Sequence, residues 1–146
     1  MADGGVLDFR FKIGPLKGGA DKIIFAQIHG HHPESKPLLK CIWENGYLRL
    51  LTKTGASLDD HGKKQRYLPL AEGQWVTCRI VAGADEVSVF IDGEMVERFG
   101  RDLLHFWPAK NTFYFKLGNY LQEKAKESAA TVSIAEIKLT HGSKQE

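Results

Sequence analysis

The sequence predicts an all-β protein, folded as an antiparallel β-sandwich or jelly roll. Apolar and polar residues alternate with period two in nearly every segment, as they do in strands that bury one face. Turn residues, mainly glycine, asparagine and aspartate, separate these segments at regular spacing. Helical periodicity is almost absent. Many short strands separated by such turns are typical of sandwiches and barrels.

The length and composition limit the organisation and the classes of partner. A chain of 146 residues with 42% hydrophobic residues suits a single domain, residues 1–146, with one sizeable core. The formal net charge is +2, from 20 Lys+Arg and 18 Asp+Glu, and does not indicate nucleic acid or a membrane surface. The first five residues carry no signal-peptide pattern, and no apolar run approaches the roughly 18 residues of a membrane span.

Each predicted strand is bounded by turn residues. The first alternates apolar with charged residues and is expected to stop at Gly14-Pro15. Asn45-Gly46 and Asp92-Gly93 are two-residue hairpin signals, each between two strands. The predicted strands are, in chain order, Leu7–Ile13, Ile23–Gly30, Leu38–Trp43, Tyr47–Leu51, Trp75–Val81, Val87–Ile91, Glu94–Phe99, Phe113–Tyr120 and Thr131–Thr140.

The last strand contains an irregularity, and three segments are predicted to be loops. Its apolar phase runs Val132, Ile134 and then Ile137, Leu139, a slip of one residue that predicts a bulge near Ala135. Residues 121–130 are read as a loop. Residues 33–37 and 57–67 are candidates for loops that cover a groove.

Two polar stripes on strand-like segments are the candidate functional residues. Gln27 and His29 share one face of their strand, and Tyr114, Lys116 and Tyr120 share one face of another. The residues between them are apolar and would face a core. Each stripe therefore lines one surface of a sheet whose back is buried.

These stripes resemble two signature motifs of polysaccharide lyase family 7, the alginate lyases. The segments 25–30 and 114–122 are similar to the motifs Q-(I/V)-H and Y-F-K-A-G-x-Y-x-Q, with Leu117 and Leu121 as departures. The similarity covers nearly the whole chain. It implies a concanavalin-like jelly roll that cleaves alginate without a cofactor, is secreted or periplasmic, and attacks the polymer internally.

The resemblance also implies roles for individual residues. Tyr120 would be the general acid, and it or His29 the base; His29 is alternatively a neutraliser of the substrate carboxylate, which Gln27 would hold. The substrate-binding residues would be Lys116, Tyr114 and Gln122. A phenol has an ordinary pKa of about 10 and needs a nearby cation to act as a base, whereas imidazole titrates near neutral pH.

A third family motif, R-(T/S)-E-L-R, does not occur in this sequence. The resemblance thus implies an N-terminally truncated fold that lacks a carboxylate-binding arginine and leaves a sheet edge open, which a second copy of the chain could cover. Arg10 and Arg49 are candidates to replace that arginine, with Arg10 assigned to substrate binding. The alternatives are a non-catalytic domain that binds acidic polysaccharide and a structural jelly roll.

Histidines and cysteines are considered for other chemistry. His29, His31 and His32 lack a third ligand of clear spacing, so no metal site is predicted. Cys41 and Cys78 lie in apolar strand-like segments. The sequence leaves open whether these two cysteines are buried free thiols, form a disulfide or include a catalytic thiol.

Overall fold

The protein is described here by a computed structural model. It describes residues 4–32, 35–52, 65–83, 86–100, 112–121 and 129–141, with the backbone alone at 65–67 and at 120–121. Ten strands form: β1 (Gly5–Lys17), β2 (Lys22–His32), β3 (Pro37–Glu44), β4 (Tyr47–Thr52), β5 (Gln65–Pro69), β6 (Val76–Ala82), β7 (Glu86–Ile91), β8 (Glu94–Gly100), β9 (Thr112–Leu121) and β10 (Ala129–His141).

The strands form two five-stranded sheets, and all the neighbouring pairs are antiparallel. Sheet A has the order β10-β1-β6-β7-β8, and sheet B has the order β5-β4-β3-β2-β9. The predicted all-β antiparallel sandwich is confirmed. Among the described residues there is no helix with the length and apolarity that a membrane span requires.

One hydrophobic core lies between the inner faces of the two sheets. Phe9 and Phe11 of β1 and Phe25 of β2 are almost fully buried in it, because period-two alternation points them all inward. The rings of Phe11 and Phe25 stack across the sandwich with their centroids 4.2 Å apart. This contact joins β2 of sheet B to β1 of sheet A.

Both predicted hairpin turns are present. Asn45 and Gly46 have φ values of 51° and 89°, and Asp92 and Gly93 have φ values of 50° and 86°. Positive φ at both central residues matches the twist of the flanking strands. The predicted bulge in the last strand is also confirmed: Asp8 and Arg10 pair with residues three apart in β10, and Glu136 takes the left-handed conformation at φ 54°.

The expected end of β1 and the expected extent of the loop at 57–67 were wrong. β1 does not stop at Gly14-Pro15 but continues to Lys17, because a register shift against β10 accommodates the extra residue there. Residues 65–67, expected to be part of a loop, begin β5 instead. That strand is polar and contains Pro69, and such a sequence forms a strand only at a sheet edge, where β5 lies.

One flank of the sandwich is less well covered than the rest. β9 ends the order of sheet B, β10 ends that of sheet A, and the two strands contact each other. Inward residues of these strands, such as Phe115 and Ile134, are only half-buried, whereas those of the central strands are fully buried. The strand that carries the second motif is thus an edge strand of the described sheet.

Candidate active site

The outer face of sheet B carries the first polar stripe. Ile28 of β2 is buried in the core, so its neighbours Gln27 and His29 point to the opposite face. A bulge at Phe25 against β3 places both Phe25 and Ala26 in the core. After this extra residue the alternation continues, with Gln27 pointing outward and Ile28 pointing inward.

β9 continues this face on one side of β2. His29 is the register partner of Tyr114, and Gln27 is the register partner of Lys116. Directly opposite residues of antiparallel strands share a face, so the two predicted stripes form one surface. The sequence predicted each stripe but not their adjacency, which depends on the pairing of strands more than 80 residues apart in the chain.

His29 is held in one tautomer by the backbone. Its Nδ1 lies 2.8 Å from the carbonyl oxygen of Gly30. Because a carbonyl oxygen only accepts, Nδ1 carries the hydrogen, and Nε2 of the neutral ring keeps its lone pair. Because this lone pair is free and His29 is only half-buried, Nε2 is able to accept a proton from a bound molecule.

Tyr114 packs beside this imidazole. Its ring centroid lies 5.5 Å from that of His29 and 6.1 Å from that of His31, which it meets edge-on. Tyr114 is 42% exposed and therefore forms part of the surface. Its contact with the imidazole limits the rotation of the His29 ring. His31 is exposed at the end of β2.

Gln27 lines a cavity of about 190 Å³, together with residues 24–26 of β2 and 116–119 of β9. Only 7% of Gln27 is exposed, whereas Lys116 beside it is exposed. The glutamine offers an amide group, and the lysine on the neighbouring strand offers a positive charge. Asn119 donates from Nδ2 to the carbonyl oxygen of Ala130 at 2.7 Å, a bond that joins β9 to β10.

Two predicted site residues, Tyr120 and Gln122, lie partly or wholly outside the described residues. The backbone of Tyr120 pairs with Ile24, on the same two strands as the pairs formed by Gln27 and His29. The side chain of Tyr120 and all of Gln122 lie outside the described residues. Their roles stay predictions.

Arg10 is placed away from this surface, and its assignment to the site is corrected. It lies on β1 in sheet A and points outward, because its neighbours Phe9 and Phe11 fill the core. Its Nη1 donates to Glu136 Oε2 at 3.0 Å, and its guanidinium lies 5.0 Å from the ring centroid of Trp75. It therefore stands on the opposite side of the sandwich from His29 and does not replace the absent arginine.

Lys40 of β3 is a site-face residue that the sequence analysis missed. It is the register partner of Gln27, on the side away from β9, and it points outward because Leu39 and Cys41 are buried in the core. Burial lowers the pKa of Lys40, and the positive charges of Lys22 and Arg49 lower it further. Period-two alternation in 38–43, with the register set by the Asn45-Gly46 hairpin, was the signal that could have found it.

Arg49 of β4 lies on the same face but is already paired. Its Nη1 donates to Glu44 Oε1 at 2.8 Å, and both side chains are largely shielded from solvent. A paired guanidinium has less charge to offer an incoming anion than a free lysine. Arg49 is therefore a weaker candidate for the missing cation than Lys40 or Lys116.

Other chemistry finds little support within the described residues. Cys41 and Cys78 are free and buried. The neighbouring Cys41 thiol, and then burial, raise the pKa of Cys78, which keeps that thiol protonated and a poor nucleophile. Among the described residues, no group of three or more His, Cys, Asp or Glu side chains is arranged to hold a metal ion.

The comparisons with known proteins concern the fold and the family. A sequence model of the alginate lyase family matches residues 1–141. Alginate lyase A1-II′, of polysaccharide lyase family 7, has a similar solved structure, with TM-score 0.77 and 22% identity over 97% of this chain and 63% of its own. Alginate lyase AlyC3 gives TM-score 0.77 and 17% identity, over 97% and 65%. An alginate lyase from Corynebacterium sp. gives TM-score 0.73 and 17% identity, over 97% and 60%.

Among curated proteins, none matches the sequence. The chain spans less than two thirds of the length of the three solved alginate lyases named above. At these identities the structural likeness establishes the fold, and the sequence model establishes the family. The chain therefore belongs to the alginate lyase family, whose solved members with this fold include enzymes of polysaccharide lyase family 7.

Proposed function

We propose that this protein is an alginate lyase that cleaves the 4-O-glycosidic bonds of polyuronate by β-elimination and releases 4,5-unsaturated oligosaccharides. The observation that carries the proposal is the meeting of Gln27, His29 and Lys116 on one outer face of adjacent strands, with His29 Nε2 unprotonated in the neutral ring. Family membership supports the reaction class.

The first requirement of the reaction is to stabilise charge on the uronate carboxylate. Removing the C5 proton places negative charge on the neighbouring carboxylate oxygens, and a preorganised donor array lowers the energy of that state. Gln27 and Lys116 both line the cavity, where Gln27 offers amide hydrogens and Lys116 offers an ammonium group. Both would bind the carboxylate more strongly as its charge grows.

The second requirement is proton transfer at C5 and at the glycosidic oxygen. His29 Nε2 takes the C5 proton, the C5–H electrons form the C4=C5 double bond, and the C4–O4 bond breaks with its electrons going to O4. The hydrogen bond from His29 Nδ1 to Gly30 holds the base in the tautomer that this needs. We assign the proton that O4 receives to the phenol of Tyr120.

The surface also suggests how the polymer binds. The face lies on the outside of an open sheet, and a polymer can enter such a face along its length; we therefore propose internal cleavage. Lyase A1-II′ has been crystallised with a GGMG substrate and a GGG product, and AlyC3 with dimannuronate. We accordingly propose alginate as the ligand, and a secreted or periplasmic setting in which alginate is encountered.

Two lysines of sheet B that have no ion-pair partner among the described residues support this sheet as the polyanion-binding side. On sheet A, Arg10, Arg79 and Arg98 each pair with a carboxylate, at 3.0, 3.7 and 3.0 Å. On sheet B, no carboxylate among the described residues pairs with Lys40 or Lys116. Unpaired cations gain more from an incoming anion than cations that must first leave a partner.

The test is ultraviolet absorbance over time on alginate, with guluronate-rich and mannuronate-rich fractions in parallel. The expected result is a rise in absorbance from the unsaturated product in the native protein and none in the His29→Ala, Tyr120→Phe double variant. Equal rates in the two proteins would contradict the assigned chemistry. The same assay with chain-length analysis of early products separates internal from terminal cleavage.

The second candidate function is a non-catalytic domain that binds acidic polysaccharide. One observation favours this candidate: Arg49, the arginine on the described part of the site face, is bound to Glu44. Folded protein that binds alginate and gives no unsaturated product would select this candidate. Self-association through the flank of β9 and β10 stays a prediction, which sedimentation over a range of protein concentrations would measure.

A further inference from the structure

Lys40, Gln27 and Lys116 form one row across three strands of sheet B. Gln27 of β2 is the register partner of Lys116 on β9 and of Lys40 on β3. Opposed residues share a face, and adjacent strands are about 4.8 Å apart, so the Cα atoms of the two lysines lie about 10 Å apart with the glutamine between them. The row runs perpendicular to the strands.

The positive charge of Lys40 is poorly compensated. Its charged neighbours on the same face are Lys22 and Arg49, both cationic, and the acid nearest to them, Glu44, is bound to Arg49. No ion pair joins Lys40 to any described residue. A half-buried cation without a counterion is stabilised when an anion binds, because the anion replaces both the lost water and the missing partner charge.

The row offers positive charge on both sides of one amide. The two lysines flank Gln27, with their Cα atoms about 10 Å apart. A polymer with a carboxylate on every unit can place one carboxylate at Gln27 and Lys116 and the next at Lys40. The row thus accommodates two neighbouring carboxylates of a repeating polyanion.

We propose that Lys40 is a second carboxylate-binding position of the groove. It takes the uronate unit next to the one at Gln27, so that the sugar chain crosses β9, β2 and β3. This inference rests on the proposed polyuronate substrate but not on turnover: Lys40 binds a neighbouring unit and takes no part in proton transfer.

The test compares Lys40→Met with Lys138→Met, which removes the same charge from the opposite sheet. Lys138 is exposed on β10, where it pairs in register with Asp8 of sheet A. Binding of short alginate oligomers is measured by calorimetry in a His29→Ala background, which prevents cleavage during the titration. Lys40→Met is expected to weaken binding about tenfold, in line with loss of one hydrogen bond to a charged group. Lys40→Arg is expected to retain most of the affinity, and Lys138→Met all of it.

The inference would be overturned by equal losses in Lys40→Met and Lys138→Met, which would indicate general charge alone, or by no loss in Lys40→Met. Absence of alginate binding in the parent protein would overturn it as well. The outcome is separate from that of the lyase assay. Tenfold weaker binding in Lys40→Met supports the second position even if the native protein gives no unsaturated product.

Discussion

At the scale of single residues, the site depends on how the His29 ring is held. The carbonyl of Gly30 fixes the tautomer, and Tyr114 packs against the ring with the centroids 5.5 Å apart. Neither contact involves an ionised group. The imidazole is therefore oriented by its own strand and by the neighbouring strand, and Nε2 is left for chemistry.

Tyr114 is expected to act as a positioning residue for His29. Tyr114→Ala removes the ring that limits rotation of the imidazole and should lower kcat by roughly ten- to a hundredfold. Tyr114→Phe keeps the ring and should restore most of kcat. A positioning role predicts that KM for alginate is unchanged in Tyr114→Ala. A rise in KM in Tyr114→Ala would indicate that Tyr114 acts on the substrate directly.

Lys40 is expected to make the stability of the fold pH-dependent. Burial and neighbouring cations lower the pKa of Lys40 in the folded state below its usual value of 10.5. Between the lowered pKa of the folded state and the usual value of 10.5, the unfolded chain binds more protons than the folded chain. The free energy of unfolding therefore rises with pH across this range and is lowest below it. Lys40→Met should therefore stabilise the protein most at neutral pH, and the gain should shrink toward pH 10.

Urea denaturation of Lys40→Met at pH 7 and pH 10 measures this difference. Lys138→Met is the control for loss of an exposed lysine and should show no such trend. A stabilisation by Lys40→Met that is the same at both pH values would mean that packing of the methionine, and not relief of a buried charge, is responsible.

At the scale of elements, hairpins and bulges determine which side chains reach the site face. The Asn45-Gly46 turn sets the register of β3 against β4 and so places Lys40 and Arg49 outward. The bulge at Phe25 shifts the phase of β2 before Gln27. A slip of one residue in either strand would turn these polar side chains toward the core.

Gly46→Ala is expected to destabilise the protein through backbone strain alone. Gly46 has φ 89°, and an added Cβ would meet no atom within 4 Å, so a cost of about 1–2 kcal/mol comes from the left-handed conformation. Gly118→Ala in β9 is a matched control, with no left-handed φ and no atom within 4 Å of the added Cβ. It should be neutral or stabilising by up to about 1 kcal/mol. Equal unfolding midpoints in urea for the two variants would contradict this explanation.

At the scale of the whole molecule, the site face depends on the core behind it. Phe11 of sheet A stacks on Phe25 of β2, two residues before Gln27. Phe11→Ala should cost about 3–5 kcal/mol in the free energy of unfolding, because it leaves a cavity between the sheets. Ile137→Ala, at a position that is 58% exposed, should change stability by less than about 0.5 kcal/mol. Thermal unfolding of both variants measures the difference, and similar losses would show that the core is not centred on the aromatic stack.

The sequence predicted more of the fold than of the site. Period-two alternation and the two hairpin signals correctly indicated nine strands, and the phase slip indicated the bulge next to Ala135. β5 was missed because its residues are polar and contain Pro69, a pattern that favours a strand only once an edge is available. On the site face, Arg10 was misplaced because alternation gives the face of a strand but not its sheet. Lys40 was missed because alternation indicates its outward direction but not its pairing with Gln27.

The sequence by itself determined the fold class, the family and the two stripes, since alternation, turns and motifs are all local patterns along the chain. The tertiary structure decided which stripes meet. Antiparallel pairing of β2 with β9 and β3 brings Lys116, Gln27 and Lys40 into one row, whereas Arg10 is placed on the other sheet with Glu136. Such pairings depend on contacts between distant segments, because the burial of a shared core selects the register that no single segment can specify.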